Sequence, residues 1–347
     1  MKKKIVVIGG GTGTYTVLRG LKKYNDLEIS AIVTMADDGG SNKVLRDEFG
    51  LLPTSGVRQC MVALSANEGI LRKLFSYRYY QGVGISGMTF GNLFMAAVSD
   101  VLGDQRGAIK ETAKLLDVRG KILPISYDKV SLLATYTDGT EILGEHLIDL
   151  GQGKVGKQRI KHFRTIPKTR IDSEAKRAIA EADMIVLGPG DLYTNTMANL
   201  VVTGTVEAMM ANLVVTGTVE AIVKSQARVV FVMNGMTKKG ESYGYGAQDF
   251  LIDLGKYLPL SRVNYVVVNT DQTIEKAVAK AYAREEADWV KDNLDEVAKT
   301  NDSWQVIRGR LLAKGRVEKE KGDKLARSMV RHDPDKLAKI LVELLYV

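Results

Sequence analysis

The chain has 347 residues, 45% hydrophobic and 26% charged, with a formal net charge of +8 and one cysteine. That length can bury a full α/β core, and the lone Cys60 excludes an internal disulfide and fits a reducing compartment. No run reaches the roughly 18 apolar residues of a membrane span, and no His/Cys cluster has zinc spacing.

The first element is Lys4–Ile8, an apolar β-branched run without polar alternation, the pattern of a strand covered on both faces. Lys2–Lys4 imitate the basic start of a signal peptide, but the apolar stretch behind them is too short, so a soluble cytoplasmic protein without membrane insertion is expected. The strand runs into Gly9-Gly10-Gly11-Thr12-Gly13-Thr14, and Tyr15–Lys23 reads as a helix. This strand–glycine turn–helix order aims free backbone N–H groups at an anion, with the positive helix end behind them. The match to a dinucleotide fingerprint is partial, because Thr14 stands where the third glycine belongs. The hydroxyls of Thr12 and Thr14 are candidates to supplement the backbone donors.

Ile29–Met35 is a second buried strand, closed by Ala36-Asp37-Asp38-Gly39-Gly40-Ser41. One acid there can hold a ribose hydroxyl. Two can hold magnesium, which selects carboxylate oxygens. The third reading is a solvated turn. Ser41 is placed to cap the next helix, and Arg46 and Arg58 are candidates to meet phosphate charge. Helices are predicted over Val57–Ser65, Ile70–Tyr77, Asn92–Leu102 and Gly107–Leu116, with Cys60 a buried thiol. Asn92 either reads a base or hydroxyl or serves as an ordinary N-cap.

Residues 119–165 form a β excursion: Lys121–Ile125, Ser131–Tyr136, Glu141–Ile148 and Gln158–Phe163 are strand-like, with an Asp138-Gly139 hairpin turn. The α/β alternation resumes with a helix over Ser173–Ala182 and the strand Met184–Leu187. That strand enters a second glycine turn, Gly188-Pro189-Gly190-Asp191-Leu192-Tyr193-Thr194. In a parallel sheet both glycine turns lie at strand C-termini and share one crevice. Met197–Met209 and Met210–Ile222 are near copies, matching at twelve of thirteen positions. Thirteen residues rotate a helix face by roughly 220°, so both copies cannot present one stripe, and one is expected to loop out or extend an element. Arg228–Met233 and Arg262–Val268 are further buried strands. Residues 270–347 are expected to be mostly helical, with Asp333-Pro334 opening the last helix. The basic excess between Arg308 and Arg331 is interleaved with acids and reads as an exposed helical face. Without aromatic stacking residues it does not suggest nucleic acid.

G-G-G-T-G, then A-D-D-G-G-S, G-N-L, G-P-G-x-L-Y-T and N-x-M-T-x-x-G-E-x-x-G-Y, in this order and spacing, resemble the YvcK/CofD family over nearly the whole chain. Val330-Arg331-His332-Asp333 places it nearer the YvcK branch, the gluconeogenesis factors. The resemblance implies a single Rossmann-like three-layer α/β/α domain over 1–347 with a mainly parallel sheet. It also implies a cytoplasmic regulator that binds a UDP-sugar, UDP-N-acetylglucosamine, and supports cell shape on gluconeogenic carbon. A homodimer and cell-wall-synthesis proteins are the partners it leaves open. Carried across, Gly9, Gly10, Gly11, Thr12 and Gly13 line the phosphate site. Asp37, Asp38 and Ser41 face the crevice with Asn92 beside it. Gly188, Gly190, Leu192, Tyr193 and Thr194 form the second wall, and Tyr282 and Arg331 complete the pocket.

Two departures stand out. Relatives commonly read A-D-D-G-G-S-S-G-R-L-R, against Ser41-Asn42-Lys43-Val44-Leu45-Arg46 here. They also carry G-D-[IL]-R-N, against Gly56-Val57-Arg58-Gln59, and the missing acid at Val57 removes a candidate metal ligand. No general base with suitable company is apparent, so a binder rather than an enzyme is expected. The alternatives are a magnesium-dependent phosphotransferase of the CofD (2-phospho-L-lactate transferase) type and an NAD-dependent dehydrogenase.

Overall fold

The computed structural model describes residues 2–67, 69–203, 217–299, 303–314 and 329–347. Ten strands occur among them: β1 (Lys3–Gly9), β2 (Leu27–Val33), β3 (Lys121–Pro124), β4 (Ser131–Tyr136), β5 (Glu141–Leu143), β6 (Ile160–Ile166), β7 (Met184–Leu187), β8 (Arg228–Val232), β9 (Tyr265–Asn269) and β10 (Gln305–Gly309). Seven form one sheet in the order β10-β9-β8-β7-β1-β2-β3, and every pairing in it is parallel. The chain winds outward one way from β1 through β2 and β3, and the other way from β7 to β10. The direction of winding therefore reverses between β1 and β7, the place where an open α/β sheet leaves a crevice at its strand C-termini.

Residues of alternating parity along β1 feed two different cores. Ile5 and Val7 pack with the helices Gly11–Leu21, Ser55–Leu64 and Pro334–Tyr346. Val6 and Ile8 pack toward Leu132, Ala134 and Tyr136 of β4, and Phe163 of β6. Both faces are thus covered, which is why the strands carry apolar runs rather than alternation. The β excursion forms a separate antiparallel sheet, β5-β4-β6, laid over one face.

Two sequence expectations change. Glu141–Ile148 is not one strand: β5 stops at Leu143, Gly144 adopts φ 110, and Glu145–Leu150 is a helix. The C-terminal part contains β10, a parallel edge strand whose Gln-Val-Ile-Arg-Gly sequence is too polar to announce itself. Val57 is fully buried in the helical-side core. Asp333 does cap the last helix, accepting from Asp335 N and Lys336 N. Cys60 is buried, and burial pushes its thiol up to about 12.

The second half of the first repeat copy and the first half of the second lie outside the described residues. What is described is Met197–Thr203 from the first and Gly217–Ile222 from the second, which read in succession as one complete thirteen-residue unit. They are joined by a hydrogen bond from Thr218 N to Val202 O of 3.2 Å, and Thr203 N is held by Thr169 O at 2.7 Å.

Candidate functional site

The two glycine turns meet at the reversal point. After β1 the chain enters the helix Gly11–Leu21 through Gly10, an N-cap with no side-chain acceptor, and no acid lies in its first turn. The first-turn N–H groups of Gly11, Thr12 and Gly13 therefore lack intrahelical and capping partners, and these residues line a cavity of about 700 Å³. Gly11 sits at φ 62, a conformation that favours glycine. Gly13 is required for a different reason: a Cβ there would stand 2.0 Å from the Pro189 carbonyl oxygen of the second turn. That second turn winds into a π-helix, Leu192–Met197, a local form frequent at functional sites. Gly190 N donates to Asn234 Oδ1 at 3.0 Å, tying the turn to the end of β8.

The cavity floor is built from side chains. Lys238 links Asp149 and Asp191, the latter at 2.8 Å. Glu241, buried beneath, takes Tyr193 N at 2.7 Å and Thr194 Oγ1 at 2.6 Å, so it caps the π-helix. Burial works against the charge on Lys238, but Asp191, Asp149 and Glu241 outweigh it and hold its pKa well above the ordinary lysine value. Burial, then Asp191, pushes Glu241 up to about 7. Burial with Asp37 and Asp149 nearby raises Glu145 well above the carboxylate range, and burial with Asp38 raises Asp37. A basic protein thus presents an acidic floor.

Of the residues expected at the site, Gly10, Gly11, Thr12, Gly13, Asp37, Gly190, Thr194, Tyr282 and Arg331 line this cavity. The Tyr282 hydroxyl accepts from Met329 N and Val330 N, both at 3.0 Å, so it also orders the segment carrying Arg331. Gly9, Gly188, Asp38, Ser41, Asn92, Leu192 and Tyr193 are not among the lining residues. Gly9 and Gly188 close their strands behind the turns, and Asn199 Nδ2 donates to Gly9 O at 3.2 Å. Asn92 is a buried staple: it accepts from Arg58 Nε at 3.1 Å and donates to Ser41 and Ser55 at 3.0 Å each. That geometry also places Arg58 and Ser41 behind the wall, and Gly39 rather than Ser41 is the N-cap of its helix. Arg46 donates to the carbonyls of Ala36 and Val130. Tyr193 points inward, its hydroxyl 2.7 Å from buried Asp253 and its ring edge-on to Phe163, while Leu192 joins the core. Thr14 donates to Gly10 O, not to the crevice.

In the Asp37–Asp38 pair, Asp37 Oδ1 accepts from Gly39 N and Asp38 Oδ1 accepts from His146 N at 2.7 Å. Among the described residues, Asp149, Asp191 and Glu241 bring three carboxylates within 4.8 Å of one another. Their oxygens suit a hard cation, although Lys238 already supplies a positive charge between two of them. Lys238, Glu241 and Asp191 lie inside the motifs quoted above, so a signal existed; Asp149 and Glu145 carry none. Among the described residues no helix is long and apolar enough to cross a membrane.

The family model described as 2-phospho-L-lactate transferase CofD matches residues 5–211 and 206–312, the two matches overlapping inside the doubled stretch. A protein named gluconeogenesis factor from Halalkalibacterium halodurans is 40% identical over 287 residues, 83% of either chain. One of the same name from Bacillus subtilis is 35% identical over 99% of this chain and 98% of its own. A crystal structure of a UPF0052-family protein from Bacillus halodurans matches with a TM-score of 0.84 at 35% identity, over 99% of both chains.

Proposed function

The chain belongs to the CofD family, among the relatives named gluconeogenesis factor, and on that premise we propose that it is a cytoplasmic regulator that binds a nucleotide sugar of the UDP-N-acetylglucosamine kind. In this reading the ligand's diphosphate sits on the open N–H groups of Gly11–Gly13, where helix dipole and unpaired donors both favour an anion. The sugar and base extend along the walls toward Tyr282 and Arg331. The observation that carries the reading is the close approach of Gly13 to Pro189, which brings the uncapped first glycine turn against the second at the sheet's reversal point.

The acidic floor bears on how such a ligand is held. Asp149, Asp191 and Glu241 surround Lys238, so an anion placed over that part of the floor is opposed unless protons or a cation offset them, while Lys239, Arg284 and Arg331 also line the cavity. Asp149, Asp191 and Glu241 would hold a magnesium ion, which would neutralise diphosphate charge. A binding role in supporting cell shape on gluconeogenic carbon, in contact with cell-wall-synthesis proteins and as a homodimer, belongs to the same proposal.

Isothermal titration of the full chain with UDP-N-acetylglucosamine, NAD and GTP, with and without magnesium, tests it. Saturable binding of the UDP-sugar without turnover is the expected result. A magnesium-dependent release of nucleotide product would instead favour a phosphotransferase, and selective binding of NAD a dehydrogenase.

A further inference from the structure

His332 is a member of the Val330-Arg331-His332-Asp333 run but is not among the site residues that the sequence suggests. It is 7% exposed, yet it lines the cavity beside Arg331. Its Nε2 is buried and makes no hydrogen bond among the described residues. The backbone around it is well anchored: Leu312 and His332 form a β-bridge, and Asp333 N donates to Leu311 O. The imidazole is therefore held in place, not left over at a frayed end. A buried polar atom without a partner costs stability, and such an atom on a cavity wall is relieved when a ligand supplies the missing partner.

We propose that His332 is a direct ligand contact, its Nε2 exchanging a hydrogen bond with a hydroxyl of the bound nucleotide sugar. The inference rests on the nucleotide-sugar reading of the cavity. The ligand group follows from the charge state of the ring. Burial pushes the imidazole down to about 4, so it is neutral at physiological pH. A phosphate is better met by a cation. A neutral ring nitrogen pairs with a hydroxyl in either tautomer, because a hydroxyl both donates and accepts. Gln59 supports the same picture: its Oε1 is also buried without a partner, and Gln59 lines the same cavity.

The test compares wild type with His332→Phe and His332→Asn by titration with UDP-N-acetylglucosamine and by thermal melting without ligand. His332→Phe is expected to lose about tenfold in affinity while melting no lower than wild type, since an orphaned polar atom is removed. His332→Asn, which keeps a polar tip, is expected to lose less. A second measurement does not depend on any variant folding: of three histidines in the chain, the ¹⁵N signal of His332 Nε2 should move on ligand addition. Wild-type binding with an unchanged affinity in His332→Phe, or an unmoved His332 signal at saturation, overturns this inference and leaves the binding reading standing. Wild type that binds no nucleotide sugar overturns both.

Discussion

The wall and the floor of the cavity are made of different materials. The wall is main chain: two glycine turns, one helix N-terminus and a contact so close that Gly13 admits no Cβ. The floor is side chain: carboxylates from the β excursion and from the loops after β7 and β8, held around Lys238. A main-chain wall is fixed by local sequence and does not titrate. A side-chain floor is assembled from distant segments, and its charge depends on pH. The contrast teaches that one cavity can combine a main-chain wall of fixed polarity with a floor whose charge is adjustable.

Gly13→Val should break the wall outright. Its side chain would drive Gly13 and Pro189 apart, costing more than ~3 kcal/mol by thermal melting and abolishing nucleotide-sugar binding. Lys238→Met should break the floor instead. Asp149 and Asp191 would lose their counter-charge, a loss near 3 kcal/mol for a fully buried pair. Because the Lys238 side chain keeps 30% exposure, we expect ~2 kcal/mol, measured by denaturant unfolding and growing as pH rises.

Protons sharpen the comparison further. Glu241 has a folded-state pKa of about 7 against an ordinary value of 4.5. Its contribution to stability is full below about 4.5 and is lost as pH rises toward about 7, because the folded state then gives up a proton it had retained. Asp37 and Glu145 act in the same direction. Unfolding free energy should fall by ~2 kcal/mol across that window, and Glu241→Gln should flatten the slope. Nucleotide-sugar affinity should fall over the same range as the floor charges, whereas a purely main-chain receptor would be indifferent to pH. The smallest effect is expected at the duplicated stretch. Joining Thr203 directly to Gly217 should alter stability by less than ~1 kcal/mol by denaturant unfolding, since Thr218 N and Val202 O are already hydrogen-bonded across the join and chain length enters closure entropy only logarithmically.

The division between wall and floor also explains what the sequence disclosed. Gly9–Gly13 and Gly188–Gly190 were legible because glycine after a buried strand has a local meaning. The parallel sheet was legible because β1, β7 and β8 are apolar without alternation. Asn92 and Tyr193 were misplaced in detail, because nothing local says that a polar residue beside a glycine turn faces Arg58 or Asp253 instead of solvent. Glu145 and Asp149 were invisible: their helix, Glu145–Leu150, reads as a strand until Gly144 turns the chain. His332 stood within a recognised motif, but its role depends on burial, which a linear pattern does not report.

The hydrogen bond from Thr218 N to Val202 O joins the two lips of the duplicated stretch as tightly as a single bend would. Were the chain to pass directly from Thr203 to Gly217, that same bond would span four consecutive residues. Val201 and Val202 on one side of the gap and Val219 on the other are already buried in one core, so a single thirteen-residue unit is enough to complete it.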